Sequence, residues 1–148
     1  MAAVVLLRRK TYNLTTRTPW KPLVKLQADR IDGSNAIARH GPEGVIVNGT
    51  EYRHSVVVPW TGAVLPWPPA NFAELSEANF EMLAKLEPEL VIFGSGSRIR
   101  FARPALLRPL IDARIGIETM DSPAACRTYN VLLAEGRSVV AALLFERA

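Results

Sequence analysis

Gly94-Ser95-Gly96-Ser97 is a short polar loop of a composition that could seat an anion. It follows an apolar, strand-like run, Glu89-Leu90-Val91-Ile92-Phe93, and leads into Arg98 and Arg100. The glycines permit tight backbone geometry with bare N–H groups, the serines add hydroxyls, and a guanidinium supplies the counter-charge for a phosphate or carboxylate. Neither a third glycine at dinucleotide spacing nor a Gly-Lys-Ser/Thr ending follows, so the loop carries no nucleotide fingerprint. A turn that simply closes strand into helix accounts for the same glycines.

A second constellation lies about twenty residues on, where Glu118-Thr119-Met120-Asp121-Ser122-Pro123 runs into Ala124-Ala125-Cys126-Arg127-Thr128-Tyr129-Asn130. Asp121-Ser122-Pro123 reads as a helix start, with a side-chain oxygen taking orphan N–H groups and Pro123 at the first helical position, where no donor is needed. Arg127, Thr128, Tyr129 and Asn130 have no such local explanation. Buried polar groups must be paired, so they form either a network that pins the helix or a ligand surface. Gly94, Ser95, Gly96, Arg98, Glu118, Arg127, Thr128 and Asn130 are therefore the candidate pocket residues.

Other chemistry is thinly supported. Cys126 near a helix start could have a lowered pKa, but its apolar neighbours read as packing. The two histidines, His40 and His54, lie far from it in sequence, so no nucleophile and base are set side by side. No pair of ligands has a familiar metal spacing, and neither metal nor cofactor is expected.

The elements that must position these residues follow from periodicity. Asn35–His40, Gly44–Val47 and Thr50–Val58 read as strands, with Asn48-Gly49 between the last two as a hairpin turn whose residues take positive φ. Pro59–Asn71 packs four prolines and two tryptophans into an ordered loop, with Trp60 and Trp67 capping an apolar edge. A helix follows, with Ser76 as N-cap, Leu75 and Phe80 as a staple, Leu83 and Leu86 inward, and Pro88 as its stop. From Glu89 onward the pattern is βαβαβ: strand 89–93, a helix from Pro104 with Leu106, Leu107, Leu110 and Ile111 on one face, strand 115–118, helix 123–135 ended by Gly136, and strand 138–145. Continuous apolar strands imply burial on both faces, so 89–93 and 139–145 belong at the centre of a helix-covered sheet. The fold class is α/β, with an N-terminal antiparallel hairpin or meander.

Composition bounds the function. An apolar fraction of 49% and a charged fraction of 22% are those of an ordinary globular chain, and 148 residues suffice for one sizeable core. The longest apolar run, seven residues from Val139 to Phe145, is far short of the roughly 20 a membrane-spanning helix requires. The net charge of +4 divides unevenly: residues 1–30 hold seven Lys/Arg against one acid, whereas 31–148 hold eleven against thirteen. Nucleic-acid binding by the body is therefore not expected. Residues 1–27 read as an irregular basic extension and 28–148 as a single domain. One cysteine and no signal-peptide pattern place the chain in the cytosol, or in the mitochondrion if the basic arm is a transit peptide.

At Pro88–Gly96, Gly116–Ser122 and above all Ala125-Cys126-Arg127-Thr128-Tyr129-Asn130-Val131-Leu132-Leu133-Ala134-Glu135-Gly136-Arg137, the chain resembles a small domain family of unknown function. That family includes the mitochondrial complex I assembly factor 3, an adipogenesis-associated human protein and many bacterial single-domain members. The likeness runs from about Ile31 to Leu144. It implies a three-layer fold around a central mixed, mostly parallel sheet and, in its mitochondrial branch, an assembly role exercised by protein contact. The family pattern has Gly-Thr-Gly where this chain has Gly94-Ser95-Gly96, which keeps the hydroxyl. The leading expectation is a non-catalytic binding or assembly module with protein partners. The alternative is a small-molecule or anion-binding protein, or an uncharacterised enzyme, using the loop after strand 89–93 and the start of helix 123–135. An apolar edge near Trp60 and Trp67 leaves self-association open.

Overall fold

The computed structural model describes residues 33–146. The basic extension expected over 1–27 and the start of the domain at 28 lie outside the described residues. The described residues form two sheets. A three-stranded antiparallel meander is formed by β1 (Ile37–Gly41), β2 (Gly44–Val47) and β3 (Thr50–Tyr52). Asn48 (φ +52°) and Gly49 (φ +81°) supply the left-handed pair that the β2–β3 turn requires.

The larger sheet takes β4 (Val56–Pro59), β5 (Leu65–Pro66), β6 (Leu90–Gly94), β7 (Gly116–Met120) and β8 (Val139–Leu143) in the order β5-β4-β8-β6-β7. β6 pairs in parallel with both β7 and β8, whereas β4 pairs antiparallel with β5 and β8, so β4 alone runs against the other four. The expected mixed, mostly parallel sheet is thus present, with 89–93 and 139–145 in its interior.

Side-chain alternation builds one core on each face of this sheet. On one, Val56, Val58, Ile92, Val139, Ala141 and Leu143 pack with the meander and with Ala125, Cys126, Tyr129 and Leu133 of α3 (Ser122–Ala134). On the other, Val57, Val91, Phe93, Val140, Ala142 and Leu144 meet Phe80 and Leu83 of α1 (Glu77–Ala84) and Leu110 of α2 (Arg108–Asp112). Trp67, Phe80 and Phe93 lie in mutual edge-to-face contact at 5.7–5.9 Å between centroids, an arrangement their ring quadrupoles favour.

Three expectations need correction. Thr50–Val58 is not one strand: β3 belongs to the meander and β4 to the large sheet. The chain crosses between them at Ser55, whose carbonyl accepts from Trp67 N and whose hydroxyl accepts from Phe145 N. Trp67 does not cap an edge; it is buried, with Nε1 donating to Asn79 O at 3.2 Å, while Trp60 is half-buried. The helix expected from Pro104 begins as a 3-10 turn over Pro104–Leu107 before α2, and this change of period rotates Ile111 into solvent.

Candidate functional site

Three parallel strands end on one side of the large sheet: the chain leaves β6 for β7 on one side of it and returns from β7 through α3 to β8 on the other. This reversal between β6 and β8 is where open α/β sheets form ligand crevices. A cleft of about 350 Å3 lies there. Gly96 and Ser97 after β6, Ser122 and Pro123 at the start of α3, Leu144 to Glu146 after β8, and His40 to Pro42 from the β1–β2 turn line it.

The walls of this cleft are bonded to one another. Ser122 Oγ accepts from Gly96 N (3.0 Å) and donates to Leu144 O (2.9 Å), Ser122 N donates to Gly96 O, and Leu144 N donates to Gly94 O. Ser95, fully buried, donates from N to Met120 O and from Oγ to Arg98 O at 2.8 Å, and its Oγ accepts from Arg100 N at 2.8 Å. The Arg100 guanidinium turns inward to Ser95 O and forms a 2.7 Å ion pair with Glu146, over the ring of Phe72 at 4.7 Å. Phe72 N donates to the other oxygen of Glu146 at 2.7 Å. Burial alone would raise the Glu146 pKa, but the bonds from Arg100 and Phe72 outweigh it and hold this carboxyl below its ordinary value.

Gly94 is fixed by packing: a Cβ there would fall 2.9 Å from a Leu143 methyl and 3.0 Å from both Ala125 Cβ and Ser122 Cα. The glycine sets how closely α3 approaches the sheet. The N–H groups of Ser95 and Gly96 and the Ser95 hydroxyl are therefore spent within the fold.

Helix α3 separates the second group of candidates by face. Asp121 caps it, accepting from Ala124 N at 2.8 Å. Tyr129 is buried, with its hydroxyl donating toward the carbonyls of Asn35 and Pro59, each at 3.0 Å. Asn130 spans the backbone of Ile37, accepting from its N–H (2.9 Å) and donating to its carbonyl (2.8 Å). Asn35 extends this network by donating to Pro59 O and Gly62 O and accepting from Asn48. Tyr129 and Asn130 thereby pin the meander to α3. Cys126 is buried, and desolvation, opposed by the charge of Arg127, pushes its thiol up to about 12. Arg127 is exposed, Thr128 half-exposed, and Glu118 exposed on the edge strand β7.

Of the eight candidates only Gly96 lines the cleft. Gly94 and Ser95 lie behind it, and Arg98, Glu118 and Arg127 face solvent. Sequence reasoning passed over Glu146 and gave Arg100 only a tentative anion role. An ion pair whose partners stand 46 positions apart leaves no local trace.

Residues 37–144 match the family described as protein of unknown function (DUF498/DUF598). The chain belongs to this family. It is 32% identical over 111 residues to NADH dehydrogenase (ubiquinone) 1 alpha subcomplex assembly factor 3 of Bos taurus, covering 73% of this chain and 59% of that protein. Against the protein of the same name in Danio rerio, identity is 29%, with 84% of this chain and 72% of that one covered. A crystal structure of a Bordetella parapertussis protein superposes with a TM-score of 0.73 at 36% identity, over 77% of this chain and 98% of that one. This agreement extends to the mixed α/β architecture. No helix among the described residues is long and apolar enough to cross a membrane.

Proposed function

We propose that this protein is a non-catalytic assembly module that works by protein contact and serves the assembly of a respiratory NADH dehydrogenase. The observation that carries this reading is the inward use of the polar loop. The inward-turned groups that could have activated a substrate, Ser95, Ser122, Tyr129 and Arg100, are hydrogen-bonded to the chain's own backbone. The names of the Bos taurus and Danio rerio relatives support the assembly role.

The contact face in this proposal is the outer side of α3 with the adjoining edge strand β7. Arg127 and Val131, four residues apart on one helix face, are both exposed, Val131 at 57%, and Glu118 is exposed on β7. Arginine is enriched at protein interfaces, and Val131 gives Arg127 an exposed apolar neighbour on the same face. The test is quantitative affinity capture of the tagged chain from its native cell, beside an Arg127→Glu/Val131→Glu variant. Enrichment of NADH dehydrogenase subunits with the wild type and their loss with the variant is the expected result. Equal recovery with both removes α3 as the contact face, and no respiratory subunit with either refutes the assembly role.

The cleft at the β6–β8 reversal favours a second reading, in which a small, largely apolar ligand sits against Pro42, Pro123 and Phe145. Thermal-shift screening decides it: a ligand at about 100 times its Kd adds roughly 2.7 kcal/mol. Absence of any hit across a metabolite set retires this reading.

A further inference from the structure

Charge and apolar exposure coincide in one segment outside both surfaces described above. Residues 98–114 carry five arginines, Arg98, Arg100, Arg103, Arg108 and Arg114, against the single acid Asp112. The rest of the described chain holds five basic residues against eleven acids. Of the four large hydrophobic side chains exposed to solvent among the described residues, three, Ile99 (51%), Phe101 (71%) and Ile111 (54%), fall in the same stretch.

The exposure is enforced by the fold. Arg100 is drawn inward by Ser95 and Glu146, and Ala102 is buried against the α1/α2 core. In an extended segment successive side chains point to opposite sides, so fixing Arg100 and Ala102 inward drives Ile99, Phe101 and Arg103 outward. Arg98 and Arg103 form no ion pair among the described residues, although Arg98 acts through space on Glu146. The hydrogen bonds at the base of the loop thus hold an aromatic and a β-branched side chain in water between free guanidinium groups.

We infer that residues 98–111 form a peripheral docking surface for an anionic lipid bilayer, with Phe101 and Ile99 entering the headgroup region and Arg98 and Arg103 meeting lipid phosphates. Two features favour lipid over an acidic protein. The apolar side chains project from a loop and need no shaped pocket in the partner, and alternation of arginine with apolar residues matches the graded polarity of a membrane interface. A stable protein interface would require about 800 Å2 of complementary surface on each side, whereas arginines near an anionic membrane contribute one by one.

The test is co-sedimentation of the full chain with phosphatidylglycerol-containing vesicles and with pure phosphatidylcholine vesicles, at low and high salt. Binding to the anionic vesicles alone, weakened by salt, is expected, with a loss of about tenfold or more in Ile99→Ser/Phe101→Ser and in Arg98→Glu/Arg103→Glu. Both variants replace exposed side chains, and a melting curve confirms that each is folded. Wild-type binding that both folded variants retain overturns the proposal and assigns the interaction to the basic residues 1–30. No vesicle binding at low salt, with loop-dependent binding of polyglutamate instead, overturns it in favour of an acidic polypeptide; binding of neither overturns it outright.

Discussion

Two stretches that leave the same end of β6 treat water in opposite ways. Gly94–Gly96 and the Ser122 turn beside it bury their polar atoms and pair them, whereas 98–103 exposes its apolar side chains and buries part of an arginine. Polar composition therefore does not identify the working surface here. The serine and glycine loop is a joint that locks strand, helix and C-terminal residues together, and the arginine-rich loop next to it is what the joint presents to the outside.

Substitutions can break this contrast from either side. Gly94→Ala should have the largest effect, destabilising by about 3 kcal/mol in urea titration, because the new methyl meets the Ser122 backbone as well as side chains. Ser95→Ala should cost about 2 kcal/mol, since Arg100 N loses its acceptor inside the joint; a cost near zero would show that water replaces the hydroxyl. Glu146 gives a pH signature. Its folded pKa is held below the ordinary 4.5, so its contribution is complete above that value and is lost as pH falls through the folded pKa. The wild type should lose more stability than Glu146→Gln between about pH 5 and 3, and parallel curves would contradict the ion pair with Arg100. Phe101→Ser should have the smallest effect, within about 0.5 kcal/mol, because that side chain stabilises nothing internally. A larger loss would mean that Phe101 packs inside the fold.

How much of this was legible in the sequence depended on the range of the interaction. The Asn48-Gly49 turn, the stop at Gly136 and the two interior strands each rest on signals a few residues wide, and all are where those signals put them, while α3 starts one residue before Pro123, with Asp121 as its cap. Thr50–Val58 misled because both halves favour strand, and only the buried Ser55 marks the change of sheet. Ile111 misled because a 3.6-residue period was applied across a 3-10 turn. Among the candidate residues, Asn130 was singled out for lacking a local partner, and its partner is Ile37, 93 positions away. The closed character of the Gly94–Ser97 loop was hidden for the same reason, since it depends on Ser122, Leu144 and Glu146 arriving from elsewhere.

The position of β8 has a consequence for biosynthesis. It is the last strand among the described residues but the middle one in the sheet, and β4-β5 and β6-β7 are hydrogen-bonded into one sheet only through it. A ribosome-bound chain that has not yet extruded Val139–Leu143 holds two half-sheets with exposed apolar margins and nothing to join them. Such a chain is expected to be aggregation-prone until β8 pairs with both of its neighbours.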